Sequence, residues 1–248
     1  MLKILYEDEH IIVVFKPVGL ESQSCRGFGR DMVSEMKGHI HKLSPKSGEP
    51  YVGVIHRLDK PVSGVMVYAR EKTSAAALSR QVAAGEMEKK YLAVLCGKPV
   101  NSVENYVDYL LKDEKQNVSR IVDKGTNGAR RAELTFRTLE SREVEPYGVL
   151  TLAQIELLTG RHHQIRVQMA GHGLPLWGDQ RYNPRFADGS ARTDVALCAY
   201  HLTFTHPATG KRMCFEQLPE GEIFREFLPV SPWRLTRQSF PLYNEEAF

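Results

Sequence analysis

Apolar residues in this chain come in short runs, each closed by a turn signal, and that parcelling limits the folds open to it. Ile11-Ile12-Val13-Val14-Phe15 is β-branched and aromatic throughout, the pattern of a strand buried on both faces, and it ends at Lys16-Pro17 with a turn at Gly19. Ile4-Leu5-Tyr6 precedes it across an acidic turn. Residues 52–55 and 65–68 form two more such runs around a charged loop. In 88–95, Tyr91, Ala93 and Leu95 fall on one side of a predicted strand and Lys90, Leu92 and Val94 on the other. Ala132, Leu134 and Phe136 alternate with Glu133, Thr135 and Arg137. Together with 149–158, across Glu145-Pro146-Tyr147-Gly148, they predict an antiparallel hairpin. A last hairpin is expected from 195–205 and 212–215 around Pro207-Ala208-Thr209-Gly210. Residues 97–129 are polar and suggest loops around one short strand at 106–111.

Helices are fewer. Asp31 suits the cap of a short helix through Met36. Thr73 or Ser74 suits the cap of a helix over 75–84, whose apolar face is Ala75, Leu78 and Val82 and whose stop is Gly85. Thr159-Gly160 opens a helix predicted over 161–170, closed by Gly171-His172-Gly173, and a short one is expected at 222–228. Residues 44–50 and 175–186 read as loops, and 234–248 as a tail. With 248 residues and no internal repeat or low-complexity linker, the expectation is one domain over 1–248. Its class is α+β, with a mixed, mainly antiparallel central sheet and flanking helices and loops.

The net charge of +3 is small, so its distribution matters more. Residues 51–92 carry seven Lys/Arg against four Asp/Glu, and 161–192 carry five against two. In 101–149 the count is eight against nine, and in 193–248 five against seven. The positive excess collects on two segments, which suggests a basic face able to follow phosphates. Cys25, Cys96, Cys198 and Cys214 show no Cys-x-x-Cys spacing. Neither a zinc site nor a disulfide framework is expected, and reduced thiols in a cytoplasm are the simplest account. No apolar run approaches membrane-spanning length, and the N-terminus leaves no room for a signal peptide's apolar core, so a soluble cytoplasmic protein is expected.

The richest stretch is the charged loop His56-Arg57-Leu58-Asp59-Lys60-Pro61-Val62-Ser63-Gly64. One carboxylate, Asp59, stands between two cations. Pro61 biases Lys60 away from helix, and Gly64 permits a tight return into the next strand. A carboxylate fixed beside positive charge stays ionised and oriented, as a nucleophilic Asp must. The plainer reading of the same residues is a loop salt bridge.

Several blocks taken in order narrow the choice. His56-Arg57-Leu58-Asp59 with Ser63-Gly64, then Lys90-Tyr91-Leu92-Ala93-Val94, then Leu158-Thr159-Gly160-Arg161-His162-His163-Gln164-Ile165-Arg166 resemble the motifs of the RluA family of pseudouridine synthases. Gly178-Asp179 with Tyr182 follows at the usual interval. The opening from Glu7 to Gly19 and the late Leu197-Cys198-Ala199-Tyr200-His201-Leu202 with His206-Pro207 also fit. The RsuA family fits less well, since its loop usually begins with Gly where this chain has His56. Departures at Val62, His162 and Cys198 bear on which RNA is chosen more than on the reaction.

The resemblance implies a pseudouridine synthase-like catalytic fold with a central cleft. It also implies isomerisation of a uridine in structured RNA, transfer or ribosomal, to pseudouridine. Asp59 would be the nucleophile, attacking the sugar C1′ or uracil C6. Arg166 would pair with Asp59 through a bidentate fork, and Tyr91 would stack on uracil and offer its hydroxyl. Arg57 would fill the space left by the flipped base, or else be a second salt-bridge partner of Asp59. His56, Arg161, His163 and Gln164 would bind substrate, with the last three expected at a helix N-terminus, and Leu197 would wall the base pocket. No cofactor, metal, membrane or obligate protein partner is implied, RNA is the partner, and a monomer is the default. There is no space before Ile4 for the S4-like module many relatives carry.

Two rivals are weighed. A metal-dependent hydrolase would use His56 and Asp59 with His162, His163 or His172, but adjacent His162 and His163 on a helix would diverge by about 100°. A non-catalytic RNA-binding module would not need Asp59, Tyr91 and Arg166 together.

Overall fold

Ile11–Lys16 (β2) lies at zero or near-zero exposure along its whole length, which only a strand covered on both faces can do. Ile11, Val13 and Phe15 enter one apolar cluster, and Ile12 and Val14 enter the other. Burying each such side chain contributes roughly 1.5–3 kcal/mol, so the run fixes its own place inside the sheet, between β1 and β4. The protein is described from a computed structural model covering residues 2–24, 29–43, 48–189 and 193–227. Cys25, residues 44–47 of the expected loop, Leu228 and the 234–248 tail lie outside the described residues.

The other strands are Lys3–Glu7 (β1), Gly53–Val54 (β3), Ser63–Ala69 (β4), Glu88–Cys96 (β5), Val103–Asp113 (β6), Val118–Val122 (β7), Arg130–Val144 (β8), Gly148–Leu157 (β9), Leu197–Thr205 (β10) and Arg212–Glu216 (β11). They form one sheet in the order β1-β2-β4-β10-β5-β9-β8-β6-β7, with β11 on β10 and β3 on β4. Every pairing is antiparallel except β4 with β10, where Ser63 and Gly64 lie beside Cys198 and Ala199. The mixed, mainly antiparallel sheet is thus as expected.

Met32–Leu43 (α1), Lys72–Ala84 (α2), Gln164–Gly171 (α3) and Glu222–Arg225 (α4) flank it. The two clusters cover the sheet's two faces. One joins β2, β4, β5 and β10 residues to Leu78 of α2, Trp177, Phe186 and Phe224. The other joins Met32 and Met36 of α1, Leu58, Val62, Tyr91, Ile165, Leu176 and Leu197. The alternation expected of β5 is observed, since Tyr91, Ala93 and Leu95 face the second cluster and Leu92 and Val94 the first.

The structure corrects several boundaries. α1 runs on to Leu43, because Ile40 continues the buried spacing of Met32 and Met36 and outweighs the cost of Gly38, about 1 kcal/mol. Its Asp31 accepts the Ser34 amide at 2.7 Å, as a cap should. α2 starts one turn early, with Glu71 at its N-cap and Ser74 donating to the Glu71 carboxylate at 2.8 Å. Residues expected as loops around one strand form the β6–β7 hairpin instead. These strands end the sheet and expose one side, so polar residues at alternate positions hide them from an apolar pattern. No described helix is long and apolar enough to cross a membrane.

Candidate active site

The 56–64 loop is held from beneath by a buried cation. Lys16, with no exposed surface, donates from Nζ to the carbonyls of Leu20 at 2.6 Å, Pro17 at 2.9 Å and Lys60 at 3.1 Å. Burial pushes its pKa down from 10.5 to about 8, with the charges of Asp59 and Glu21 acting the other way. The Gly19 amide reaches the same Lys60 carbonyl at 3.0 Å. Ser22 pins Leu58, its Oγ accepting from the Leu58 amide at 3.0 Å and donating to the Leu58 carbonyl at 2.8 Å. The loop closes with the Val62 amide donating to the Asp59 carbonyl at 3.0 Å. Gly64 then enters β4 at φ +147°, where an added Cβ would lie 2.5 Å from Ala199 Cβ and 2.6 Å from the Ala199 carbonyl oxygen. Only glycine lets β10 approach this near.

So supported, Asp59 presents a side chain 27% exposed, enough for one face to meet a substrate. Its Oδ2 lies 3.4 Å from Arg166 Nη1 and 3.6 Å from His163 Nε2. The two loop cations diverge from it. Lys60 turns to Glu21 at 3.6 Å, and Arg57 is exposed without a hydrogen bond or ion pair among the described residues. The positive charge beside Asp59 therefore comes from α3, not from its sequence neighbours.

Arg166 is 3% exposed, and a buried guanidinium must find anions. Its fork goes to fully buried Asp179, with Nε to Oδ2 and Nη2 to Oδ1 both at 2.8 Å, leaving Nη1 for Asp59. The bidentate partner expected at Asp59 is therefore Asp179. Burial opposes the charge on Arg166, but the bonds and charges of Asp179 and Asp59 outweigh it and raise its pKa. Asp179 is held in turn by the amides of Arg181 at 3.0 Å and Tyr182 at 3.3 Å, and the Tyr182 ring lies 5.3 Å from the guanidinium carbon.

Tyr91 on β5 is 6% exposed and shares its cluster with Leu58 and Leu197. Burial, then the charge of Asp59, raises its pKa, so the phenol keeps its proton. Asp59 thus meets Arg166, its charge reaches the Tyr91 hydroxyl, and Leu197 belongs to the same apolar cluster as Tyr91.

The segment before α3 departs from expectation. His163 takes φ +54°, so the helix starts at Gln164 rather than Arg161. The His162 and His163 rings do not diverge but stack, 3.7 Å apart and inclined by 25°. His163 is buried, and burial with the Arg166 charge drives its pKa down to about 2. Its Nδ1 meets the Tyr182 hydroxyl at 2.8 Å. Burial also lowers the pKa of His162, whose Nδ1 is 2.9 Å from Ser119 Oγ.

Gln164 uses its amide within the protein. Oε1 accepts from Thr159 Oγ1 at 2.8 Å and the Arg161 amide at 2.9 Å, and Nε2 donates to the Glu133 carbonyl at 3.0 Å. Arg161 donates from Nε to the Arg131 carbonyl at 2.8 Å. His56 is likewise committed inward: Nε2 accepts the Val67 amide at 3.3 Å, and burial, then the charge of Lys89, lowers its pKa to about 3. Gln164 and His56 thus make internal bonds, at the start of the helix that carries Arg166 and in the loop that carries Asp59.

The hydrolase set is not gathered. His172 stacks on Tyr106 at 3.7 Å and bonds Asp108 at 3.0 Å, and the side chains spaced for a metal among the described residues are His201, Cys214 and Glu216 on the β10–β11 hairpin. A cavity of about 860 Å³, lined by Phe15, Ser63, Trp177, Asp194 and Phe224 among others, includes none of Asp59, Tyr91 and Arg166. Four of its liners, Phe15, Trp177, Ala196 and Phe224, belong to the cluster on the other face of the sheet.

Sequence reasoning gave no role to Lys16, Asp179 and Tyr182. One signal was available: an arginine predicted among the apolar residues of α3 requires a buried carboxylate, and Gly178-Asp179 follows close by.

Residues 10–171 match the family profile described as RNA pseudouridylate synthase. Over 240 residues the chain is 32% identical to ribosomal large subunit pseudouridine synthase D of Zymomonas mobilis, covering 93% of this chain and 74% of that one. Over 219 residues it is 34% identical to ribosomal large subunit pseudouridine synthase C of Escherichia coli K12, covering 86% and 65%. Human RNA pseudouridylate synthase domain containing 4 superposes with a TM-score of 0.71 at 21% identity, over 97% of this chain and 95% of that one, which shows a common fold.

Proposed function

The chain belongs to the RNA pseudouridylate synthase family and is an RNA pseudouridine synthase, and on that footing we propose that Asp59 is its nucleophile toward a uridine flipped out of structured RNA. The observation that carries this reading is the pairing of Asp59 with Arg166, a guanidinium fixed by the Asp179 fork, with Nη1 at 3.4 Å from Oδ2. Arg166 cannot turn to follow the substrate, so it orients the carboxylate. Lys could not make the fork and the third contact together.

In the reaction the C1′–N1 bond breaks, uracil turns, and a C1′–C5 bond forms. C5 then loses its proton and N1 carries one, so nothing is oxidised or reduced. Asp59 attacks at C1′ or C6 and leaves again. Tyr91 stacks on the base, and its hydroxyl is the candidate for removing the C5 proton. Asp59's charge is one of the causes that raise the Tyr91 pKa. Arg57, exposed at the loop tip, takes the space of the extruded base, whose removal from its stack costs a few kcal/mol. Residues 1–248 act as one catalytic domain. The names of the two relatives favour large-subunit ribosomal RNA over transfer RNA as substrate.

Tritium release from RNA labelled at uridine C5 tests the nucleophile. Asp59→Asn is expected to bind RNA and unfold like the unaltered protein while releasing no tritium. Appreciable turnover by that variant would refute the assignment. Pseudouridine mapping of total RNA with and without the protein tests the substrate: a site lost only from transfer RNA would overturn the ribosomal reading.

A further inference from the structure

The hydrogen bonds behind Asp59 form a chain whose direction can be worked out. The Ser119 backbone amide, on β7, lies 2.8 Å from the Tyr182 hydroxyl and can only donate, so the Tyr182 oxygen accepts there. The second neighbour of that hydroxyl is His163 Nδ1, at 2.8 Å. Tyr182 is protonated, and its one proton must point to a partner, so it points to Nδ1. A neutral imidazole that accepts at Nδ1 carries its proton on Nε2. That nitrogen lies 3.6 Å from Asp59 Oδ2.

The opposite tautomer fails twice. With a proton on Nδ1, the Tyr182 oxygen would receive two donors and its own proton would have no protein acceptor among the described residues. The Nε2 lone pair would then face the Asp59 carboxylate.

We propose that Tyr182 fixes His163 as the Nε2–H tautomer, so that a neutral donor and Arg166 together position Asp59, and that the β6–β7 hairpin sets this state through the Ser119 amide. A distance of 3.6 Å is slightly long for a hydrogen bond, and such contacts tighten when substrate fills a site. Because the donor is neutral, it holds Asp59 Oδ2 without a second full charge beside Arg166. Tyr182 and His163 are positioning residues here. The kinetic part rests on Asp59 being the nucleophile, whereas the tautomer does not.

Two measurements test it. Long-range proton–nitrogen correlation spectra of protein carrying ¹⁵N-histidine, with His163 assigned by its loss in His163→Gln, report the tautomer directly. Nε2–H is expected in the unaltered protein, with Nδ1–H gaining population in Tyr182→Phe. An Nδ1–H ring in the unaltered protein, or no change in Tyr182→Phe, overturns the relay. Steady-state tritium release supplies the second readout. Tyr182→Phe is expected to lower kcat roughly tenfold, the loss of one hydrogen bond in the pathway, with KM for RNA unchanged. Gln places an N–H near the Nε2 position and has no tautomer to set, so adding Tyr182→Phe to His163→Gln should cost nothing more. An equal loss in both backgrounds would make Tyr182 merely structural and overturn the positioning role. Turnover by Asp59→Asn would strike the nucleophile alone, leaving the spectrum unchanged.

Discussion

Replacing Lys16 with Met keeps the aliphatic stem and removes a buried charge with its three carbonyl contacts, one of them to Lys60 in the catalytic loop. The folded pKa of about 8 lies below the ordinary 10.5 of an exposed lysine. Between those values the unfolded chain binds more protons than the folded one, so this group makes stability rise with pH. The deficit is fully present below about pH 8 and gone above about 10.5. The shift from 10.5 to about 8 corresponds to about 3 kcal/mol overall, of which about 2 kcal/mol falls between pH 7 and 9.5. Lys16→Met carries no such term. Urea unfolding followed by intrinsic fluorescence should therefore show the unaltered protein gaining about 2 kcal/mol on the variant over that range. Tyr68 and Tyr91, whose pKa values are raised by burial, pull the other way at high pH. They are common to both proteins, and their effect cancels in the difference. Parallel stability curves, or a difference that moves in the opposite sense, would refute the buried charge.

Other substitutions separate fold from function. Gly64→Ala puts a Cβ 2.5–2.7 Å from Ala199 atoms, two of them backbone, at φ +147°, so at least about 3 kcal/mol of stability should go; an unfolding midpoint within a degree of the unaltered protein would show that the strands can part there. Arg57→Ala touches no described partner and should change stability by under about 0.5 kcal/mol. Single-turnover tritium release from folded RNA should nevertheless fall at least about tenfold, since flipping costs a few kcal/mol. An unchanged rate would remove Arg57 from that step.

The strands were legible because burial on two faces writes itself as unbroken apolar runs, as in β2, and burial on alternate positions as in β5 and β8. The motifs also led to a common place, since Asp59 lies beside Arg166 and its charge reaches Tyr91, although the three positions are far apart in the chain. What sequence could not supply was the partner of each charge. Asp59 has two cations near it in the chain, yet its neighbour in space is Arg166, because Arg57 and Lys60 splay outward while the buried guanidinium, its fork on Asp179, keeps Nη1 for Asp59. Conversely, the fork of Arg166 is taken by Asp179, whose full burial is a tertiary fact. His163 shows a second limit. A helical wheel sets adjacent rings about 100° apart, but one left-handed residue turns them into a stack. The β6–β7 hairpin shows a third, since strands at a sheet's end need no apolar pattern to pair.

The bond from the Ser119 amide to the Tyr182 hydroxyl is made by main chain, which gives it an unusual tolerance. Any side chain small enough for this buried position keeps that amide, and only proline deletes it outright. The outer hairpin can therefore exchange its lysines, arginines and acids to suit a different stem or loop of nucleic acid while its tie to the reaction centre persists. Address and chemistry are joined in this protein by a group that substitution, with one exception, cannot reach.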